Sequence, residues 1–328
     1  MNARVLVAVV GVFVACGSNV FFLEHLVKFS PGCGHLVTFS QFFFTAAFRF
    51  VTVTKCGTVQ PVVPLREYFF AVLLYFASSL TGNLAFLFNI SMPIQMIFKS
   101  GSVMASMLLG ILILKKQYST SKYVSVAMIT IGIAMCLLLS SADKPKKAEE
   151  QGDMFSFICG LSLLLVSLFT GARLGIAQQE VVSKFGKHPK EMTCYIHLLS
   201  LPFFIFFAKN IMNQLYIFSQ AELEAVDWFP VKVPLVWIYF ALNIFTQFLC
   251  VTSVTTLTSE LSALAITVIL TLRKFMSLIV SIVYFRNPFT FYHWMGTLLV
   301  FTGTLIFSEV PQRMFAAKEK PDQGKKDD

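Results

Sequence analysis

Acidic residues are what this chain conspicuously lacks: Asp and Glu number 17 against 26 Lys and Arg, and none falls inside the long apolar runs. Without a carboxylate there, the runs offer no catalytic acid–base pair and no Asp/Glu proton relay. Glu24, Glu67, Glu260 and Glu309 stand at the ends of runs, and His35, His197 and His293 lie near helix ends, where an interfacial role is expected. The seven cysteines (16, 33, 56, 136, 159, 194, 250) form no CxxC pair, so neither a metal site nor a disulfide framework is expected, and no cofactor is implied. Strict polar–apolar alternation is absent too, which excludes a transmembrane β-barrel.

What is present is apolar sequence in excess. The 328 residues are 56% hydrophobic and 13% charged, with a mean hydropathy of +0.73. A soluble core could not hide that surface, and apolar runs of 18 or more residues mark membrane helices. The expected fold is all-α and integral to the membrane. Ten transmembrane helices are placed at about 5–23, 35–54, 67–88, 93–114, 121–141, 155–173, 194–211, 233–254, 261–285 and 291–310. The first run follows Arg4 and contains Ala15-Cys16-Gly17, a passable signal-peptidase site. It continues through Val20-Phe21-Phe22-Leu23, which favours a retained helix.

Lys144, Pro145, Lys146, Lys147, Glu149 and Glu150 make the break between the fifth and sixth helices a solvated linker. Residues 1–141 then form a first five-helix repeat, 142–154 the linker, 155–310 a second repeat and 311–328 a tail. The halves echo each other: Lys115 precedes Gly132, and Arg286 precedes Gly303, by the same seventeen residues. Five helices per half force opposite orientations, and an inverted repeat places a substrate site at the midplane between halves. Lys and Arg counts set the orientation. With a cytosolic N-terminus, fourteen basic loop and tail residues lie on the cytosolic side and seven opposite, so both termini are expected in the cytosol.

Against this background three cations stand out. Lys99 lies in the run Pro93–Leu114, and Arg273 with Lys274 at the middle of Leu261–Phe285. Each mid-membrane charge costs about 2.5–3.5 kcal/mol, or roughly 8–10 kcal/mol for three. The pair has about twelve residues, roughly 18 Å, on either side, too far for snorkelling. No acid in the runs compensates them, so the missing partner is an anion from outside the chain, and the chain reads as a carrier of anionic solutes. The alternative is that the pair bonds backbone, Thr267 and Thr271. Gln95 and Ser100 flank Lys99, with Pro93 starting the helix and Gly101, Ala105 and Ser106 permitting close packing. Asn19, Tyr75, Asn83, Gln95, Ser100 and Gln247 are candidate contacts for a base or sugar, or else helix-joining groups. Arg49 and Arg173 are expected to snorkel to the cytosolic interface. Asn89-Ile90-Ser91 is a glycosylation sequon placed too near the membrane for modification.

The motifs Gly17-Ser18-Asn19-Val20 with Glu24, Pro31-Gly32-Cys33-Gly34 and Met92-Pro93 resemble a known family. So do Met96-Ile97-Phe98-Lys99-Ser100-Gly101-Ser102, Leu114-Lys115-Lys116, Phe185-Gly186-Lys187-His188, Thr271-Leu272-Arg273-Lys274-Phe275 and Asn287-Pro288-Phe289-Thr290. Together they resemble the nucleotide-sugar transporters of the drug/metabolite transporter superfamily, on the branch carrying UDP-xylose and UDP-N-acetylglucosamine. The resemblance covers nearly the whole chain. It implies a ten-helix antiporter, not an enzyme, moving UDP-sugar into the lumen in exchange for UMP. Lys99, Arg273 and Lys274 would then sit at the phosphates, with no cofactor. The stretch Tyr75–Asn89 departs from the branch pattern, which leaves the sugar open. Lys325 and Lys326 stand fourth and third from the C-terminus, a dilysine pattern read by retrieval coat machinery. Residence is therefore expected in the endoplasmic reticulum membrane, with the Golgi membrane as alternative. The competing readings are an integral-membrane transferase and a carrier of another phosphorylated anion. The sequence leaves open whether the chain forms a homo-oligomer, and nothing points to nucleic acid.

Overall fold

The computed structural model describes residues 3–88, 90–142, 150–221, 234–261, 263–287 and 289–308. Within them the chain is helical, with no strand among the described residues. Hydrocarbon leaves backbone N–H and C=O groups no water, so each apolar run closes its own hydrogen bonds as helix. The helices are α1 (Ala3–Phe29), α2 (Gly34–Thr52), α3 (Leu65–Leu84), α4 (Met92–Ser100), α5 (Ser102–Leu112) and α6 (Thr120–Ala142). They continue with α7 (Glu150–Phe185), α8 (Pro189–Ser200), α9 (Ala208–Ser219), α10 (Leu235–Glu260), α11 (Ala263–Phe285) and α12 (Phe291–Phe307). Among the described residues, eight helical stretches are long and apolar enough to cross a bilayer, and the shorter α12 is apolar as well. His35, Gln41 and Arg49 make the 19-residue α2 less apolar than these.

Two of the expected spans are broken. Residues 92–112 divide into α4 and α5 at Gly101. Residues 189–219 divide into α8 and α9 around a 3-10 segment, Leu201–Phe207, that contains Pro202. Two others run longer than expected: α1 continues to Phe29, and α7 starts at Glu150, inside the segment read as linker, and reaches Phe185. Linker residues 143–149, Asn89 of the sequon and the tail with Lys325 and Lys326 lie outside the described residues.

Helix pairing is specific. The most extensive contacts join α1 to α10, α6 to α12, α3 to α7 and α2 to α8, and α4 packs on α11. Two of these pairs are joined by reciprocal hydrogen bonds. Asn19 Nδ2 donates to the Asn243 carbonyl at 2.9 Å, and Asn243 Nδ2 to the Asn19 carbonyl at 3.0 Å, tying α1 to α10. Ser78 Oγ donates to the Ser167 carbonyl at 2.9 Å, and Ser167 Oγ to the Ser78 carbonyl at 2.7 Å, tying α3 to α7. A disulfide between Cys16 and Cys250 also links α1 to α10, with Cα atoms 4.8 Å apart. This corrects the expectation of no disulfide: the two cysteines are 234 residues apart and carry no spacing signal. In contrast, α6 and α12 meet through glycine. A Cβ on Gly132 would stand 2.5 Å from the Gly296 carbonyl oxygen.

Gly132→Val is therefore expected to destabilise the protein by about 1–3 kcal/mol through overpacking. Thermal unfolding in detergent measures it. Gly175→Ala is the control, because nothing lies within 4 Å of a Cβ there.

Candidate functional site

The three cations converge. Lys99 lies on α4 one residue before its end and is exposed, while Arg273 and Lys274, on the facing helix α11, are half-buried. The Lys274 ammonium reaches the Lys99 carbonyl at 3.5 Å. The Lys99 ammonium rests over Gly82 of α3, near Ser167 of α7. The three charges are close enough to repel one another. Among the described residues no ion pair joins any of them to a carboxylate. Arg273 Nε is buried without a hydrogen-bond partner. A polar atom left so costs about 1–3 kcal/mol, and three mutually repelling cations add to that. Three cations meeting without a carboxylate are an arrangement that a polyanion could complete.

The other candidate residues are distributed as follows. Gln95, one turn before Lys99, donates Nε2 to the Gly82 carbonyl at 2.5 Å and so fixes α4 against α3. Ser100 is buried, and its hydroxyl donates to the Met96 carbonyl at 3.0 Å within its own helix. Asn19 is used in the clasp with Asn243. Tyr75 hydroxyl meets His197 Nε2 at 3.1 Å, and Asn83 donates Nδ2 to Thr38 Oγ1. Gln247 is half-buried on α10, one turn beyond Asn243. The structure thus gathers Lys99, Arg273, Lys274, Gln95 and Ser100, and holds Asn19, Tyr75 and Asn83 in contacts between helices. The Thr267 side chain lies outside the described residues.

Four readings need correction. Glu24 is 2% exposed inside α1, so the runs do hold a buried carboxylate. It accepts from Ser281 Oγ and Asn287 Nδ2, both at 2.6 Å, with Lys28 at 3.8 Å. The four-residue spacing of Glu24 and Lys28 is the signal that helix continues past Leu23. Arg49 does not snorkel: it is 5% exposed and donates Nη2 to Thr252 Oγ1 on α10 at 3.1 Å. Arg173 is held inside the long α7, paired with Glu180 at 3.4 Å. Finally, His35, His197 and His293 are buried rather than interfacial, bonded to Asn210, Tyr75 and Thr290 respectively. For Glu24, Arg49, His35 and His197 another helix supplies a partner that a single run cannot reveal.

A family model for the UAA transporter family matches residues 4–311. The chain belongs to the UAA transporter family. A zebrafish (Danio rerio) relative named "UDP-xylose and UDP-N-acetylglucosamine transporter" is 44% identical, over 95% of this chain and 96% of its own. The human (Homo sapiens) "Nucleotide sugar transporter SLC35B4" is 42% identical, over 96% and 97%. A Drosophila melanogaster "Endoplasmic reticulum GDP-fucose transporter" is also 42% identical, over 94% and 92%. One solved crystal structure shares the fold, with a TM-score of 0.51 at 12% identity, covering 97% of this chain and 99% of the other. The family consists of transporters rather than enzymes, and a multi-pass membrane protein with converging cations accords with it.

Lys99→Met removes one uncompensated charge. It is expected to stabilise the ligand-free protein by relieving repulsion, and to abolish any rise in melting temperature on adding nucleotide. Thermal unfolding with and without UMP reads both effects.

Proposed function

We propose that this transporter is an antiporter, moving UDP-sugars from the cytosol to the lumen of the endoplasmic reticulum or Golgi in exchange for UMP. The cargo is UDP-N-acetylglucosamine, UDP-xylose or both. The observation that carries this reading is the meeting of Lys99, Arg273 and Lys274 with no carboxylate among them. In the proposal they bind the phosphates, which a nucleotide sugar and a nucleoside monophosphate both carry. A site held together only by an anion suits exchange, because the empty site carries the full cost of its charges.

Two further observations support the inverted-repeat part of the proposal, with repeats at 1–141 and 155–310. The first is the pairing pattern. Counting α4 with α5 as one span, and α8 with α9 as another, exchanging the halves turns the α1–α10 pair into α7–α3 and returns α6–α12, α2–α8 and α4–α11 to themselves. The second is that both exchanged pairs carry a reciprocal clasp. The relatives' names support a nucleotide sugar as cargo, and the dilysine at Lys325 and Lys326 supports retrieval to the endoplasmic reticulum from a cytosolic tail. The fly relative named for GDP-fucose, at similar identity, favours a second cargo reading in which the base is guanine.

The test is exchange in proteoliposomes loaded with UMP or with GMP, measuring uptake of labelled UDP-N-acetylglucosamine, UDP-xylose and GDP-fucose. UMP-dependent uptake of either UDP-sugar is expected, with a fall of at least about tenfold in Lys99→Ala and in Arg273→Ala. Uptake unaffected in both variants would refute the phosphate site, and uptake only of GDP-fucose would reassign the base.

A further inference from the structure

The span that carries Lys99 is broken directly beside it. α4 stops at Ser100, Gly101 adopts φ −68° and ψ 0°, and α5 starts at Ser102. Across this break the Gly101 N–H turns back to the Phe98 carbonyl at 2.9 Å, and the Met104 N–H bonds the Gly101 carbonyl at 2.9 Å. At the break the Gly101 N–H points to the Lys99 carbonyl as well as to that of Phe98. The break is built in by packing, because a Cβ on Gly101 would stand 2.7 Å from Ile133 Cδ1 of α6.

The Lys99 carbonyl sits in the last turn of α4, where helix carbonyls carry partial negative charge. That carbonyl is the one the Lys274 ammonium reaches from α11. The other two cations are placed differently: the Lys99 ammonium lies over Gly82, and the Arg273 guanidinium keeps a buried, unbonded Nε. Of the three, Lys274 alone bridges from α11 to the backbone of α4. The bond is long, and the two neighbouring cations push against the ammonium that makes it. An entering phosphate offers that ammonium a full negative charge in place of a carbonyl dipole.

We propose that Lys274 is a positioning residue with two alternative partners. In the empty carrier it caps the broken end of α4 and holds α4 to α11. When a nucleoside phosphate enters, the ammonium transfers to the phosphate and the end of α4 is released. Occupancy is thereby coupled to the freedom of two helices that belong to opposite halves of the chain. This rests on the anion-carrier reading above, and it adds a reason why an empty carrier stays locked: without an anion, the lysine holds the halves together.

The experiment compares the wild-type protein with Lys274→Met, which removes donor and charge, and Lys274→Arg, which keeps both. Amide hydrogen exchange at residues 99–104 is read in the purified, ligand-free proteins. It is expected to rise by about fivefold or more in Lys274→Met and to stay near the wild-type level in Lys274→Arg. Adding UMP to the wild type is expected to raise it likewise. Equal exchange in all three ligand-free proteins overturns the latch. This readout requires no cargo assignment, so failure of the cargo reading and failure of the latch are distinguishable. In proteoliposomes, efflux into nucleotide-free medium, relative to exchange, is expected to rise in Lys274→Met alone. Loss of efflux and exchange together in that variant, with amide exchange at residues 99–104 unchanged, would make Lys274 a ligand only and overturn the proposal.

Discussion

In hydrocarbon every polar group must find its partner inside the protein, and most of this structure is organised by that constraint. The pairing of α1 with α10 is held at its polar point by Asn19 and Asn243, each satisfying the other's backbone carbonyl. The pairing of α3 with α7 is held in the same way by Ser78 and Ser167. Glu24 and Arg49, both costly to bury, are each tied to a second helix through hydroxyl or amide groups. Where no polar partner is needed, as between α6 and α12, glycine lets the backbones approach closely. Interhelical hydrogen bonds of this kind contribute only about 0.6–2 kcal/mol each. Their larger effect is to exclude other pairings, which would leave the same groups unbonded.

Lys99, Arg273 and Lys274 break that pattern. Several neighbours are satisfied: Gln95 bonds Gly82, Ser100 bonds its own helix, and Ser167 bonds Ser78. The cations alone meet with no anion. The surrounding order matters for binding, since Gln95 fixes the rotation of α4 and hence the direction of Lys99 one turn later. Two unit charges about 4 Å apart attract by about 4 kcal/mol at an effective dielectric near 20. That exceeds the few kcal/mol at most of a single hydrogen bond to a charged group. In the proposed reading an anion competes with the carbonyl for these donors, and its release restores the repulsion.

Sequence and structure agree where a feature depends on one run of residues and part where it depends on two. Lys99, Arg273 and Lys274 could be found without a structure because a charge inside an apolar run is anomalous on its own. That Lys99 and Lys274 meet was legible only weakly, through the shared spacing of Lys115 to Gly132 and Arg286 to Gly303. The misread residues share one cause. Arg49 near the end of α2 looks like a snorkelling residue until Thr252, 203 positions away, is placed beside it. Glu24 looks terminal until Ser281 and Asn287 draw it inward. Cys16 and Cys250 carry no motif at all. Asn19 and Asn83 were candidate ligand contacts by residue type, and that type serves equally well to join helices. The break at Gly101 was hidden for a different reason: Ser100-Gly101-Ser102 suits close packing, and only the position of Ile133 turns that into an interruption.

The interruption also gives the site its asymmetry. The α11 helix runs unbroken through Arg273 and Lys274, and its far end is secured to α1 by Glu24 through Ser281 and Asn287. Its two cations are therefore carried on a fixed rod. The matching span of the other half is two short helices, α4 with nine residues and α5 with eleven, meeting at a single glycine. Short helices gain little from their own hydrogen bonds and depend on packing, so the Lys99 side of the site is the softer one. If one face of an anion site is to yield when the anion arrives, this is the face that can do so at low cost. A rod on one side and a jointed span on the other leaves the three charges on supports of unequal stiffness.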